Sequence, residues 1–287
     1  MTDLFTGIIN IEDNEFNYLK DIVYQKTGIA LAAHKKIMLQ SRLNIRLRQN
    51  QIANFKDYVS KLKSDKTFFN NEIPEIINRI TTNKTDFYRE NHHFEYLKNT
   101  FLPQFEENSK KTMRKKLRIW CSAASTGEEP YTIAITVLDY FQNKPGWDIK
   151  IIASDIDTNV LAIAEKGIYK EDRVTVIRSD IKQKYFTVSE NGKDKDYTVK
   201  PILKSIIEYK KINLLEEPYP FRENFDLIFC RNVIIYFDKK TQTQIFNAFE
   251  KNLYDEGILI IGHSETLFGI SEAFKFLGQT IYQKKAK

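Results

Sequence analysis

The residues of greatest chemical interest follow the first of several short apolar runs, in the string CSAASTGEEPYT (121–132). Small side chains there let the backbone approach a ligand closely, and Gly127 permits a tight turn. Glu128 and Glu129 come next, where a helix would begin and where carboxylates suit the helix dipole. Because two acids would repel a pyrophosphate and the GxGxxG fingerprint is absent, the string disfavours a dinucleotide and favours a ligand that carries positive charge.

A further acidic position closes the next apolar run, IKIIASDID (149–157). An acid at the carboxyl end of a strand in an α/β sheet typically accepts hydrogen bonds from ribose hydroxyls, and Asp155 occupies that place. Asp157 and Thr158 suit N-capping of the helix that follows. A nucleoside with a cationic portion and no phosphate is S-adenosylmethionine, which is therefore the expected cofactor.

Metal or thiol chemistry has little support in the sequence. The four histidines show no metal-ligand spacing, and neither HExxH nor a CxxC pair occurs. Cys121 and Cys230 lie inside apolar runs, which is typical of buried free thiols. We therefore expect no metal in the site.

Strands and helices alternate from about residue 117 onward, in an order that would bring these strand ends together. Apolar runs predict strands at 117–124, 149–157, 207–215, 225–237, 257–265 and 276–285, with helices at 130–143, 159–169 and 239–253. This order predicts an α/β fold with a doubly wound, mostly parallel, Rossmann-like sheet. Two β-rich segments around Asn191 and Gly192 predict an inserted β-hairpin subdomain at about 185–200.

The chain before this sheet has no strand-like alternation and is predicted to be helical. Helices are predicted at 15–28, 34–50, 55–65 and 69–81, with Gly28 as a C-cap and Pro74 in a first turn or a break. The 287 residues suit two domains, a small all-helical N-terminal domain at 1–82 and the sheet domain at 83–287. No membrane span or signal peptide is evident, so we expect a cytoplasmic protein without membrane insertion.

Positive charge is concentrated in the helical domain. The segment 22–56 contains no acidic residue but seven basic ones, within a chain of net charge +6. A solvated helix face usually mixes both signs, so this excess predicts docking to an acidic surface. The residues expected to dock are Lys35, Arg42, Arg46 and Arg48. Nucleic acid is the competing partner, but the 34–50 helix has no aromatic residue to stack on bases.

Several strings occur in an order that resembles the CheR-type protein-glutamate O-methyltransferases, the chemotaxis receptor methyltransferases. They are TTNKTDFYRE (81–90), AASTGEEPYT (123–132), ASDIDTNVL (153–161), INLLE (212–216), FDLIFCRNVIIYFD (225–238) and GHSE (262–265). The resemblance covers nearly the whole chain. It implies transfer of a methyl group from S-adenosylmethionine to glutamate side chains on the cytoplasmic helices of chemoreceptors, with S-adenosylhomocysteine as product.

The resemblance also implies which residues form the site. Those expected to contact the cofactor or frame the reaction are Asn83, Thr85, Arg89, Glu129, Asp155, Asn213, Leu214, Arg231, Asn232 and Tyr236. A glutamate acceptor is already ionised at pH 7, because its ordinary pKa is about 4.3, so no general base is needed. Arginine holds an anion without becoming a nucleophile, so Arg89 is one catalytic candidate. Tyr236 is the other, as a residue that could orient the acceptor oxygen or the sulfonium. The alternative role of Arg89 is a surface ion pair with Glu90 or Asp86, and that of Tyr236 is an aromatic packed at a strand end.

Two other functions and one partner stay open. A nucleic-acid methyltransferase is disfavoured because no NPPY-type string follows the fourth strand, and a docking module without turnover is disfavoured by the intact site residues. In relatives with a receptor tether, the hairpin binds an aromatic-ended receptor tail as an added strand, and glycines near the turn allow this. This chain has a single glycine there, Gly192, within SENGKDKD.

Overall fold

The computed structural model describes residues 7–192 and 194–286, so the start of the chain and one residue of the predicted hairpin turn lie outside the described residues. Contacts between Cα atoms divide the chain into two compact units. A helical unit runs to Thr82 and includes Tyr236–Thr241, and a sheet unit holds Asn83–Ile235 and Gln242–Lys287. The segment Tyr236–Thr241, which the sequence placed in the sheet domain, therefore groups with the helical unit.

The helical unit is built from amphipathic helices that share one core. They are α1 (Asp13–Thr27), α2 (Lys36–Gln49), α3 (Phe55–Ser64) and α4 (Lys66–Ile80). Leu39, Leu43 and Leu47 recur at helical spacing along α2 and are fully buried. Gly28 ends α1 at a φ of 73°, as predicted. The prediction for Pro74 is wrong, because α4 begins three residues earlier than expected and Pro74 lies inside it.

The sheet unit contains a seven-stranded sheet in which five neighbouring strands are parallel. The strands of the unit are β1 (Lys116–Cys121), β2 (Asp148–Asp155), β3 (Ile168–Lys170), β4 (Phe186–Asn191), β5 (Asp194–Val199), β6 (Ile207–Lys211), β7 (Phe225–Cys230), β8 (Leu253–Ile261), β9 (Phe274–Gly278) and β10 (Ile281–Lys284). The large sheet has the order β6-β2-β1-β7-β8-β10-β9, with β10 antiparallel to both neighbours. The predicted doubly wound, mostly parallel sheet is confirmed.

Helices connect these strands. They are α5 (His92–Tyr96), α6 (Leu102–Thr112), α7 (Glu128–Phe141), α8 (Thr158–Lys166), α9 (Ser179–Tyr185), α10 (Pro201–Lys204) and α11 (Lys239–Asn252). Two predicted strands need correction. The run at 225–237 leaves the sheet after Cys230 and ends in a 3-10 turn at Ile234–Tyr236, and the run at 276–285 folds back on itself as β9 and β10.

The predicted hairpin forms from β4 and β5, and β3 completes a separate three-stranded sheet in the order β3-β5-β4. The sequence did not indicate β3, because its three residues directly follow α8 within one apolar pattern. Gly167 separates the two elements at a φ of 59°. Within the described residues, no helix is long and apolar enough to cross a membrane.

Candidate functional site

The candidate site lies at the edge of the sheet where the parallel strands end. From β1 the chain builds the sheet outward through β2 and β6, and it then returns to add β7 and β8 on the other side. The direction of winding thus reverses between β1 and β7, and such a switch point forms the usual ligand crevice of α/β sheets. Predicted site residues follow β1, β2, β6 and β7 at this edge.

Asp155 closes β2 with a carboxylate that is held by main-chain groups. It accepts hydrogen bonds from the backbone N–H of Ser125 at 2.8 Å and of Asp157 at 3.0 Å. Burial raises the pKa of Asp155 to about 6, against the effect of these hydrogen bonds. The carboxylate is therefore fixed in place at the strand end, where it has acceptor capacity left for a ligand hydroxyl.

Asp157 caps α8, as the sequence predicted, by accepting from the backbone N–H groups of Asn159 and Val160. Its other oxygen accepts from the Nδ2 atom of Asn83 at 2.7 Å. The carbonyl of Asn83 in turn accepts from Ser125 Oγ at 2.9 Å. These bonds fasten the segment after Asn83 to the loops that follow β1 and β2.

Arg231 follows β7 and has a fully buried guanidinium. It donates to Glu129 at 2.5 Å, lies 3.2 Å from Glu90, and donates to the carbonyl of Arg89. Glu129 also accepts from the thiol of Cys121 at 3.3 Å. Arg231 therefore contacts two other predicted site residues, the side chain of Glu129 and the main chain of Arg89.

Glu90 is a site residue that the sequence reasoning considered only as an ion-pair partner of Arg89. Its carboxylate binds Arg231, the Nδ2 atom of Asn232 at 3.1 Å, and both the backbone N–H and Nδ1 of His263. Despite a desolvation cost, the hydrogen bond to His263 and the charge of Arg231 lower the pKa of Glu90 to about 2. The signal was its place beside Arg89 in the string TTNKTDFYRE.

His93 lies beside this carboxylate and is buried. Burial and the nearby charge of Arg231 lower the pKa of His93 to about 4, so its imidazole is neutral near pH 7. Within the described residues, Glu90, His92 and His93 form one group whose nitrogen and oxygen atoms lie within 4.8 Å of one another. The guanidinium of Arg231 already neutralises Glu90, so the arrangement favours an ion-pair cluster over a cation site.

The acids at the start of α7 differ from expectation. Glu128 is buried and pairs with Arg173 at 2.5 Å, just as Glu129 pairs with Arg231. The two acids are therefore not uncompensated negative charges, because each has an arginine partner from a distant segment. Gly127 does make the predicted tight turn at a φ of 98°, and a Cβ atom there would come within 2.7 Å of the Oη atom of Tyr169.

The remaining predicted residues of the sheet unit lie outside its helices and strands. Thr85 is buried, and its carbonyl accepts from Arg173 at 2.6 Å. Arg89 is partly exposed and donates to the carbonyl of Lys84 at 2.6 Å. Asn213 accepts from the backbone N–H of Leu215 in the turn after β6. Leu214 of that turn is buried, as befits a residue expected beside an apolar ring.

Tyr236 belongs to the helical unit by its contacts. Its side chain is partly exposed, and its carbonyl accepts from the backbone N–H of Ala30 at 2.9 Å. Its role at the site stays a prediction.

Two of the four residues expected to dock, Arg42 and Arg46, form hydrogen bonds within the helical unit. The guanidinium of Arg46 binds both oxygens of buried Glu72 on α4, at 2.9 and 2.7 Å, and Glu75 at 3.2 Å. Arg42 donates to the carbonyls that end α4, including that of Ile80 at 2.6 Å. Carboxylates and carbonyls of α4 therefore already bind both guanidinium groups, which spacing along α2 alone could not reveal, and docking by Arg42 and Arg46 stays a prediction. Lys35 and Arg48 are exposed.

The donor and acceptor set at the strand ends fits S-adenosylmethionine. A fixed carboxylate after β2 suits ribose hydroxyls, and the Asn213–Leu214 turn offers polar and apolar contacts to a ring. The small residues after β1 leave room for close backbone approach. Nothing in this set requires a phosphate to be bound.

Comparison with known proteins gives the same assignment. Residues 83–283 match the family model of the CheR methyltransferase SAM binding domain, and residues 14–81 match the CheR methyltransferase all-alpha domain. The chemotaxis protein methyltransferase of Borreliella burgdorferi is 40% identical over 277 residues, which cover 96% of each chain. Those of Salmonella typhimurium and Escherichia coli are 39% and 37% identical over 278 residues, covering 96% of this chain and 92% and 93% of theirs. The resemblance read from the strings is confirmed, and this chain belongs to the CheR methyltransferase family.

Proposed function

We propose that this protein transfers the methyl group of S-adenosylmethionine to glutamate carboxylates of chemoreceptors, forming methyl esters. The observation that carries the proposal is the assembly at one sheet edge of Asp155, Glu129 and Arg231, in a chain similar throughout to chemotaxis protein methyltransferases. The cofactor supplies an electrophilic methyl group. The protein binds it, positions an anionic oxygen and excludes water.

Within this proposal, Asp155 accepts hydrogen bonds from the ribose hydroxyls and Glu129 from the amino group of the cofactor. Asn213 and Leu214 lie by the adenine, and Asn83 and Thr85 frame the entrance. Asn83 suits this role because its side chain donates to Asp157 and its carbonyl accepts from Ser125 Oγ. These two bonds fix the position of the segment that begins at Asn83.

Arg89 is the proposed holder of an anion, either the acceptor carboxylate or the carboxylate of the cofactor. Its alternative role was an ion pair with Glu90 or Asp86, but Glu90 binds Arg231 and His263, and Asp86 binds Arg173. Within the described residues Arg89 forms no ion pair, and its guanidinium donates to the carbonyl of Lys84. Four of its five N–H groups are therefore free of that contact, which supports an anion-binding role. Tyr236 is proposed to orient the acceptor oxygen or the sulfonium.

We place receptor docking on the outward face of α2. Ile37, Ser41, Ile45 and Arg48 recur there at helical spacing and are all exposed, Ile37 by 76% and Ile45 by 40%. Lys35 lies at the start of the same helix. An apolar strip flanked by positive charge suits an amphipathic helix that carries glutamates.

A receptor tail could also add to the hairpin sheet. In the described part of the chain β4 is an edge strand with β5 on one side, and Val188 on it is 49% exposed. Titration with an aromatic-ended pentapeptide decides this point. Micromolar binding that disappears when residues 189–196 are deleted would establish a tether, and absence of binding at millimolar peptide would leave recognition to α2.

The reaction itself is tested by incubating the protein with methyl-labelled S-adenosylmethionine and membranes that contain chemoreceptors. The proposal requires label on the receptor that mild base releases as methanol, because a carboxyl methyl ester is base-labile. Base-stable label on protein, or label on nucleic acid, would replace the proposed glutamate acceptor with another one.

A further inference from the structure

The loop that follows β7 carries Arg231 and Asn232, and within the described residues no strand pairs with its main-chain groups. Asn232 adopts a left-handed conformation at a φ of 58°, which turns the chain out of the sheet. Buried backbone N–H groups need acceptors, so something other than a neighbouring strand must bind those of this loop.

The acceptor is the carboxylate of Glu265, which is 6% exposed. It binds the backbone N–H of Asn232 at 3.0 Å and those of Ile234 at 2.7 Å and Ile235 at 3.3 Å. It also binds the backbone N–H of Gly262 at 2.6 Å, within its own turn after β8. Its hydrogen-bond partners among the described residues are all backbone N–H groups, so four main-chain dipoles solvate a buried negative charge.

The fit around this carboxylate is close. A Cβ atom on Gly262 would come within 2.8 Å of the backbone nitrogen of Asn232 and 2.9 Å of the Oε2 atom of Glu265. The turn after β8 therefore packs directly against the loop after β7, with no room for a side chain at position 262. Glu90 in turn binds the side chain of Asn232 and the guanidinium of Arg231.

We propose that Glu265 is a positioning residue for methyl transfer: it binds three N–H groups of the loop after β7 and so fixes Arg231 and Asn232 at the site. This inference rests on the proposed function. Glu265 need not contact the cofactor or the acceptor, because it acts through the main chain of the loop after β7. Glu265 is the last residue of the GHSE string (262–265), to which the family resemblance assigned no role.

The experiment compares Glu265→Gln with Asp226→Asn. Asp226 is a matched control, since it is a buried carboxylate at the other end of β7 that binds Arg114 at 2.6 Å and the backbone N–H of Arg118 at 2.8 Å. The carboxamide of Glu265→Gln keeps the size of the side chain but turns an NH₂ group toward N–H donors. Melting temperature, steady-state kinetics, S-adenosylhomocysteine titration and amide hydrogen exchange are measured on all variants.

We expect Glu265→Gln to lower kcat by about 10- to 100-fold, because misplacement of a loop by an ångström has effects of that size. Exchange at the amides of Asn232, Ile234 and Ile235 should accelerate. Asp226→Asn should lower the melting temperature while leaving kcat and those amides unchanged. Unchanged kcat in Glu265→Gln, or an equal loss in both variants at equal loss of stability, would overturn the proposal.

If Glu265→Gln is too unstable to assay, Glu265→Asp retains the charge but withdraws it by one methylene and takes its place. Amide exchange and cofactor titration need no acceptor. They therefore report on the hydrogen bonds of Glu265 even if receptor membranes prove not to be the substrate, which separates failure of this inference from failure of the proposed function.

Discussion

Charged side chains gather in two regions, the helix α2 and the strand-end edge of the sheet, and they are bonded differently. On α2, the guanidinium of Arg46 uses four of its N–H donations on Glu72, Glu75 and Gln49. At the edge, the carboxylate of Asp155 meets backbone N–H groups and keeps acceptor capacity. A charge that is bound mainly by its own fold stabilises that fold, whereas a charge with acceptor capacity left at a crevice is available to a ligand.

Removing Arg46 should produce the largest effect on stability. Arg46→Ala leaves Glu72, which is 3% exposed, as a buried carboxylate that accepts from the Tyr58 hydroxyl but has lost the guanidinium that balanced its charge. We expect a loss of about 3–5 kcal/mol in the free energy of unfolding of the helical unit. Urea denaturation of Arg46→Ala and of Arg48→Ala, an exposed control on the same helix, measures this. Equal stability of the two variants would contradict the internal role of Arg46.

Arg89 should have the opposite profile. We expect Arg89→Ala to lower kcat/KM by about 10- to 100-fold, the loss of a charged hydrogen bond to an anion, while the melting temperature changes little. Kinetics at saturating and subsaturating cofactor will also show whether the anion belongs to the acceptor or to the cofactor. Near-normal methylation in the variant would return Arg89 to a surface role.

Ionisation of Asp155 should change folding stability and cofactor affinity in opposite directions. Burial raises the pKa of this group to about 6, so its contribution to folding stability is greatest at low pH and is lost as pH rises through about 6. Cofactor binding should follow the reverse course, because the ionised carboxylate is the better acceptor. We expect affinity for S-adenosylhomocysteine to fall about tenfold from about pH 7 to about pH 5. Asp155→Asn should bind weakly with no such dependence.

Changes on the outward face of α2 should have the smallest effect. We expect the pair of substitutions Ile45→Ser and Arg48→Glu to raise KM for receptor a few-fold, with kcat and melting temperature unchanged. Added salt should raise the wild-type KM as well, because exposed charges are screened over about 8–10 Å at physiological ionic strength. A KM indifferent to both changes would remove the α2 face from docking.

Local sequence predicted the parts of the site that local physics decides. Asp155 closes a buried strand, Asp157 caps the next helix, and Gly127 makes the turn between β1 and α7, each as expected. Partners supplied by distant segments were not predictable. Glu72 lies 26 residues from Arg46, so their pairing could not be read from the spacing of charges along α2.

The strand at 225–237 was overestimated for a related reason. Its apolar run continues past Cys230, but Asn232 turns the chain and Glu265, far along the sequence, takes the N–H groups that a strand would have used. The local pattern of apolar residues holds no information about an acceptor that lies so far along the sequence.

The most direct test of the central claim is calorimetric titration of S-adenosylhomocysteine into the wild-type protein, Asp155→Ala and Arg46→Ala under conditions where all three are folded. The account predicts that Asp155→Ala binds about 10- to 150-fold more weakly, which corresponds to a loss of about 1.5–3 kcal/mol, while Arg46→Ala binds as the wild type does. Unchanged affinity in Asp155→Ala would contradict the placement of the cofactor site at the strand-end edge.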